Sequence, residues 1–385
     1  MRVILALLAM VVVTATDARA QVTGNPPPKV LVIATGGTIA GVQDAPGSLG
    51  SYRAGTLTAE QIISSVPELS KHARVEAEQF ANVPSTSITP AQWLTLSKRI
   101  EQVLRDRDDL AGVVVTHGTD RLEETAFFLY LTVRSDKPVV VVGAQRPATG
   151  ISPDGPINLL AAVRVAASRQ AVGKGVMVVM DDRILSAREV RKIYQRTGGF
   201  DVGEMGMLGV VGGSGPEFLY APVRRHGASS EFDMRGVDSL PVVELAYSYP
   251  GGTGPRYARQ PDGIAVQSNG FTRAEGEIFA ALRRAGVVVA TVFAGGDNMT
   301  AVRDPDAPRD TSRAAAAPVR AESPARASTS ADSTRSDSLR TPPLPPAPPT
   351  VTAQHLTPAK VRILLMVALT RTKDPREIQR YFLRY

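Results

Sequence analysis

Two threonine-bearing turns are the residues of this chain best suited to chemistry. Thr35-Gly36-Gly37-Thr38 follows the apolar run Val30-Leu31-Val32-Ile33-Ala34. Thr116-His117-Gly118-Thr119 follows Val113-Val114-Val115, and Asp120 comes next. A hydroxyl is a weak nucleophile until a neighbour takes its proton or stabilises the charge it develops. Two such turns at one edge of a sheet would set two threonine hydroxyls and a carboxylate around one cavity. The chain has no cysteine and only four histidines, so hydroxyl chemistry is the natural expectation.

Each piece alone has a plainer explanation. Gly36 and Gly37 let the backbone approach a ligand and adopt positive φ. A Gly-Gly-Thr turn also suits phosphate binding or a simple strand-to-helix connection. Thr119 and Asp120 fit an N-cap for a helix beginning near Leu122. Glu123 and Glu124 fit acids in its first turn. A basic stretch, Arg188-Glu189-Val190-Arg191-Lys192, follows the apolar run Val176–Met180. A lysine inside a site could lower the pKa of a hydroxyl or accept its proton, but the residues leave Lys192, Arg191 and Arg188 open. His117 reads as structural, because no second His, Cys or acid lies at metal-ligand spacing. No P-loop and no dinucleotide glycine pattern follows a strand, so neither metal nor cofactor is expected.

The elements that must position these turns alternate between strand and helix. Val30–Ala34, Val113–Val115, Val139–Val142 and Val176–Met180 are short and β-branched, as strands buried on both faces should be. Helices are predicted over Thr58–Val66, Pro90–Arg105, Leu122–Thr132 and Ile157–Ser168. The alternation predicts an α/β fold: a larger N-terminal, mostly parallel sheet flanked by helices, Rossmann- or flavodoxin-like. Composition changes near 212–240, at Gly212-Gly213-Ser214-Gly215-Pro216. A smaller C-terminal α/β domain is predicted beyond it, with strands at Val242–Ala246, Ile264–Val266 and Val287–Phe293. Helices there are predicted at Arg273–Arg284 and Pro358–Thr370. The expected domains are 29–225 and 240–385. Residues 303–352, rich in Ala, Pro, Ser and Thr without aromatics, interrupt the second as a disordered insertion.

Residues 1–20 read as a secretory signal peptide. Arg2 precedes an apolar run from Val3 to Val13, and Ala18-Arg19-Ala20 is a small-x-small cleavage site. The expected location is periplasmic or secreted, with no membrane association after cleavage. The net charge is +7 among 385 residues. It is scattered, without clustered Lys/Arg and interleaved aromatics, which argues against a nucleic-acid partner.

Together these segments resemble bacterial type II L-asparaginases. The likeness lies in Ala34-Thr35-Gly36-Gly37-Thr38-Ile39-Ala40-Gly41 and in Val115-Thr116-His117-Gly118-Thr119-Asp120, which continues into Glu123-Glu124-Thr125-Ala126. It extends to Lys137–Pro147, to Asp154-Gly155-Pro156-Ile157-Asn158-Leu159, and to the tail from Ala368 to Pro375. The resemblance implies that Thr38 attacks the carboxamide of asparagine, that ammonia leaves, and that water hydrolyses the acyl-enzyme. It implies Tyr52 on a mobile loop over the nucleophile, and Thr119 with Lys192 assisting proton transfer. Asp120 would hold the substrate ammonium and Ser85 its carboxylate. Backbone amides near Thr119, with Ala144, would face the tetrahedral oxygen.

Some positions depart from the family pattern. Thr86 stands where Gln or Glu is usual. Tyr247-Ser248-Tyr249-Pro250-Gly251 lacks the usual Asn, and Thr291-Val292-Phe293-Ala294-Gly295-Gly296 replaces a Ser/Thr-Arg-Val-Pro strand end. Family members also lend a carboxylate from a neighbouring subunit; here that region is the insertion, with Asp337 its closest acid. The resemblance implies a homotetramer with sites at subunit interfaces. The expected function is hydrolysis of L-asparagine, with L-glutamine as a side substrate. The competing expectation is an amino-acid-binding protein or weakly active relative that retains the fold.

Overall fold

The computed structural model describes residues 26–48, 50–293 and 344–385. The leader 1–20 and most of the 303–352 insertion lie outside the described residues. So do Ala294-Gly295-Gly296 and Asp337.

In chain order the first unit begins with β1 (Lys29–Gly36), the short pair β2 (Val42–Gln43) and β3 (Tyr52–Arg53), and α1 (Ala59–Ser64). It continues with β4 (Arg74–Val83), α2 (Pro90–Asp106), β5 (Leu110–Thr116), α3 (Leu122–Thr132), β6 (Val139–Val142) and α4 (Gly155–Ala166). β7 (Val176–Met180), β8 (Arg183–Ser186), the short pair β9 (Arg191–Lys192) and β10 (Phe200–Asp201), β11 (Met207–Gly212) and β12 (Gly215–Phe218) complete it. Eight strands form one sheet in the order β12-β11-β8-β7-β6-β5-β1-β4. The five from β7 to β4 are parallel, and β8, β11 and β12 extend the sheet antiparallel. The predicted α/β class with a mostly parallel sheet is therefore the observed one.

The order of the parallel strands fixes where a site can form. From β1 the chain passes to β4 on one side, then returns to β5 on the other. The carboxyl ends of β1 and β5 are thus the topological switch point, where doubly wound sheets open a crevice. Both threonine turns sit there.

β4 is absent from the predicted strands. Its sequence, RVEAEQFANV, alternates polar and apolar residues because it is the sheet edge and only half-buried. Arg99 and Arg107 on the neighbouring segment pair with its Glu78 and Glu76 at 2.8 and 2.5 Å. The glycines at 212–215 form the turn of the β11–β12 hairpin.

The second unit contains β13 (Val243–Tyr247), β14 (Gly263–Gln267), α5 (Arg273–Arg284), β15 (Val288–Val292), β16 (Val351–Ala353), α6 (Pro358–Ala368) and α7 (Pro375–Arg384). Its four strands are parallel in the order β13-β14-β15-β16. Here the insertion's expected end at 352 is corrected. Val351 is fully buried and Val351–Ala353 pairs with Ala290–Val292, because this short apolar, β-branched run completes the sheet. The exposed stretch before it is held by Arg283 and Arg284, which donate to the carbonyls of Pro348 and Pro345.

The two units share a core. Phe127 and Phe128 of α3 and Leu364 and Leu365 of α6 belong to one buried cluster. The irregular connection contributes Phe232 to it, with its ring 4.8 Å from that of Tyr385. α7, also absent from the predicted elements, closes this cluster with Ile378, Tyr381 and Phe382.

Candidate active site

The two turns touch through their glycines. Gly36 and Gly37 have φ of 102° and 84°, which favour glycine. A Cβ on Gly37 would lie 2.3 Å from Gly118 Cα, so no side chain fits between the turns. The Thr35 hydroxyl donates to the Thr116 carbonyl at 2.8 Å. The first threonine of each motif therefore helps join the two strand ends, while Thr38 and Thr119 follow directly from the touching glycines.

Thr38 is buried, and its Oγ1 is 2.7 Å from the Tyr52 hydroxyl. Tyr52 stands on β3, paired through β2 with Gln43. Its ring crosses Gly41 so closely that a Cβ there would lie 2.8 Å from Cδ2. Tyr52→Phe keeps this packing and removes the partner of Thr38. If the phenol serves Thr38 in proton transfer, kcat should fall roughly 100-fold with the fold intact. Steady-state rates beside a melting curve test this, and an unchanged kcat would deny the phenol that role.

Lys192 joins the second threonine to its carboxylate. Its Nζ donates to Thr119 Oγ1 at 2.7 Å and to Asp120 Oδ1 at 2.6 Å. Of the three cations left open by the residues, Lys192 is the one that reaches Thr119. Arg191 pairs with Asp201, and Arg188 donates to Glu189 and to the Tyr385 carbonyl. Asp120 caps neither the turn Thr119–Arg121 nor α3, so the N-cap explanation fails. Glu123 is likewise more than a first-turn acid, for its Oε2 accepts from the Lys192 backbone N–H at 2.7 Å. Burial pushes the Glu123 carboxyl above the usual range.

The remaining predicted residues surround this group. Ser85 is buried against Gly118, and its Oγ accepts from Arg121 N at 3.3 Å. Thr86 lines a cleft of about 420 Å³ together with Asp120, Lys192 and Gln195. Thr38 and Tyr52 are not among the residues lining it. Ala144 is fully buried in the turn after β6. Its neighbour Gln145 accepts from Thr119 Oγ1 at 3.5 Å. Gln145, Gln195 and Glu123 are the contacts that sequence reasoning missed. Gln145 lay inside a quoted motif, and only its position against Thr119 distinguishes it. In the second unit, Ser248 donates to Glu275 at 2.6 Å while Tyr249 is exposed.

His117 is structural, as its sequence context suggested. Trp93 Nε1 donates to Thr125 Oγ1 at 2.8 Å, and Thr125 Oγ1 lies 2.9 Å from His117 Nε2. The Gly118 carbonyl can only accept, so Nδ1–H donates to it at 2.8 Å, and Nε2 of the neutral ring accepts from Thr125. Burial pulls this imidazole from 6.5 down to about 4. The unfolded chain thus takes up a proton below pH 6.5 that the folded chain refuses until about pH 4. Stability present above that window is lost as pH falls through it, by on the order of 3 kcal/mol in all. Urea unfolding at pH 7 and at pH 4.5 should show His117→Gln, though less stable at pH 7, losing less on acidification. An equal acid loss in both proteins would remove His117 as its source.

Among the described residues no cluster of His, Asp and Glu is arranged to hold a metal ion. No described helix is long and apolar enough to cross a membrane. Fold and site define a class: a doubly wound α/β protein with a Thr–Lys–Asp group at its switch point.

The chain belongs to the bacterial type II asparaginase family. Residues 29–224 match the family described as Asparaginase, N-terminal. L-asparaginase 2 of Bacillus subtilis is 41% identical over 362 residues, spanning 93% of this chain and 87% of that protein. A glutaminase-asparaginase of Pseudomonas fluorescens is 37% identical, over 92% of this chain and 90% of its own. The crystal structure of a probable cytoplasmic L-asparaginase from Campylobacter jejuni matches with a TM-score of 0.74 at 32% identity. That match covers 93% of this chain and all of the other.

Proposed function

We propose that this protein hydrolyses L-asparagine to L-aspartate and ammonia through Thr38. The observation that carries this reading is the Lys192 ammonium bridging Thr119 and Asp120 beside the Gly37–Gly118 contact. Thr38 Oγ bonds to the side-chain carboxamide carbon, and its proton passes to the departing nitrogen, which leaves as ammonia. Water then adds to the ester, aspartate leaves, and the proton returns to Thr38. Thr119 and Lys192 move the proton, and Tyr52 holds the Thr38 hydroxyl. Asp120 takes the substrate ammonium. Ser85, with Thr86 beside it, receives the carboxylate, and backbone near Thr119 and Ala144 faces the tetrahedral oxygen. Fixing both ends of a zwitterion aligns the amide with a weak nucleophile, where orientation supplies much of the rate.

Purified protein should release ammonia from L-asparagine and more slowly from L-glutamine. One methylene is worth only about 1–3 kcal/mol of discrimination. A coupled ammonia assay measures both, and equal rates would overturn the asparagine preference. Binding of asparagine without ammonia release would favour the amino-acid-binding alternative. Capture needs Asp120 and Ser85 but not the Thr119–Lys192 contact, which supports the hydrolase. Export rests on the sequence of residues 1–20; N-terminal sequencing of the mature protein should begin after Ala20.

The assembly proposed is a homotetramer whose second unit closes a neighbour's site. Leu245 and Tyr247 on edge strand β13, with Tyr249 beyond it, are exposed apolar residues in support. A mass in solution near that of one chain would end this reading.

A further inference from the structure

Lys360 is a buried lysine that the chemistry above does not use. It lies in the first turn of α6, in the second unit, and is 1% exposed. An ammonium is costly to bury unless its donors find partners. Its Nζ donates to the Arg188 carbonyl at 2.7 Å and to the Val190 carbonyl, and it sits 5.7 Å from the centre of the Phe127 ring. Those carbonyls lie four and two residues before Lys192.

The same segment is held from the opposite end. The Lys192 N–H donates to Glu123 of α3, and the Glu123 charge offsets part of the burial that weakens the Lys360 ammonium. Arg188 itself donates to the Tyr385 carbonyl at the end of α7. The strand end that carries Lys192 is therefore pinned by α6 and α7 of one unit and by α3 of the other.

We propose that Lys360 is a positioning residue that sets the Lys192 ammonium against Thr119, so that packing of the second unit controls the proton-transfer pair of the first. This rests on the hydrolase reading above. A misplacement of about 1 Å at a reacting group costs roughly 100-fold in rate.

Lys360→Met keeps an unbranched side chain only one atom shorter and removes every donor. Its kcat on L-asparagine should fall roughly 100-fold, with KM changed less than about threefold. In a Lys192→Ala background the same substitution should cost less than about twofold, because the group it positions is gone. An unchanged kcat, or an equal loss in both backgrounds, would overturn the proposal. If Lys360→Met does not fold, Glu123→Leu removes the opposite anchor, and the same two-background comparison decides. No ammonia from the wild type would defeat the hydrolase reading itself. An active wild type with an indifferent Lys360→Met defeats only the positioning role.

Discussion

Thr38→Ala is expected to abolish asparagine hydrolysis, lowering kcat by roughly 10⁴-fold or more, about 5 kcal/mol of transition-state stabilisation. The fold should survive, since the substitution removes one hydrogen bond worth about 1 kcal/mol from a turn shaped by Gly36 and Gly37. The geometry makes this a sharp test, because two threonines compete for the role. Thr119 has the ammonium neighbour, at 2.7 Å, whereas among the described residues the side-chain partner of the Thr38 hydroxyl is the Tyr52 phenol. A hydroxyl beside an ammonium is poised to pass protons, and one beside a phenol at a glycine turn is free to attack. The acyl-enzyme distinguishes them. Quenching a slow substrate and mapping the ester by peptide mass should place it on the peptide containing Thr38. An ester on the Thr119 peptide, or full activity in Thr38→Ala, would reverse the assignment.

Much of this site could be read before any fold, and the reason is local. Thr38, Thr119 and Asp120 lie where a buried parallel strand ends in a glycine turn, and both strand and turn are written in adjacent residues. The flavodoxin-like order that brings the two turns together needs β4, whose polar alternation concealed it. Tyr52, Ser85 and Lys192 came from resemblance, since nothing in their neighbours marks them. Lys192 is one cation in a run with Arg188 and Arg191, and only the strand after β8 decides which one faces Thr119. Glu123 shows the limit of local reading. A first-turn acid explains its position in the helix, yet its carboxylate leaves the helix to hold a backbone 69 residues away. Lys360 is the extreme case: a lysine in an apolar helix looks exposed, and only the meeting of two units reveals it as buried. The β16 strand follows the same logic in reverse. A composition rule extended the Pro-rich segment through 352, whereas Val351 and Ala353 find a partner strand that composition cannot see.

Lys192→Met should lower kcat about 10³-fold, near 4 kcal/mol, if the lysine relays the proton between Thr119 and the reacting atoms. Thr119→Ala should cost a similar factor, and the double variant little more, because two members of one relay fail together. Stability should change little, for Asp120 is left half exposed and water can replace its lost partner. The informative control is Lys192→Arg. Arginine restores the positive charge beside Thr119 and Asp120 but does not give up its proton near neutral pH. An electrostatic role would be restored by it, whereas a relay would not. Lys192→Arg is therefore expected to remain within about tenfold of Lys192→Met. Steady-state kinetics of the four variants on L-asparagine measure this, with KM followed separately, since Asp120 would bind the ammonium in each. Recovery of wild-type kcat in Lys192→Arg would replace the relay by simple charge stabilisation, and Thr119 would then need another group to receive its proton.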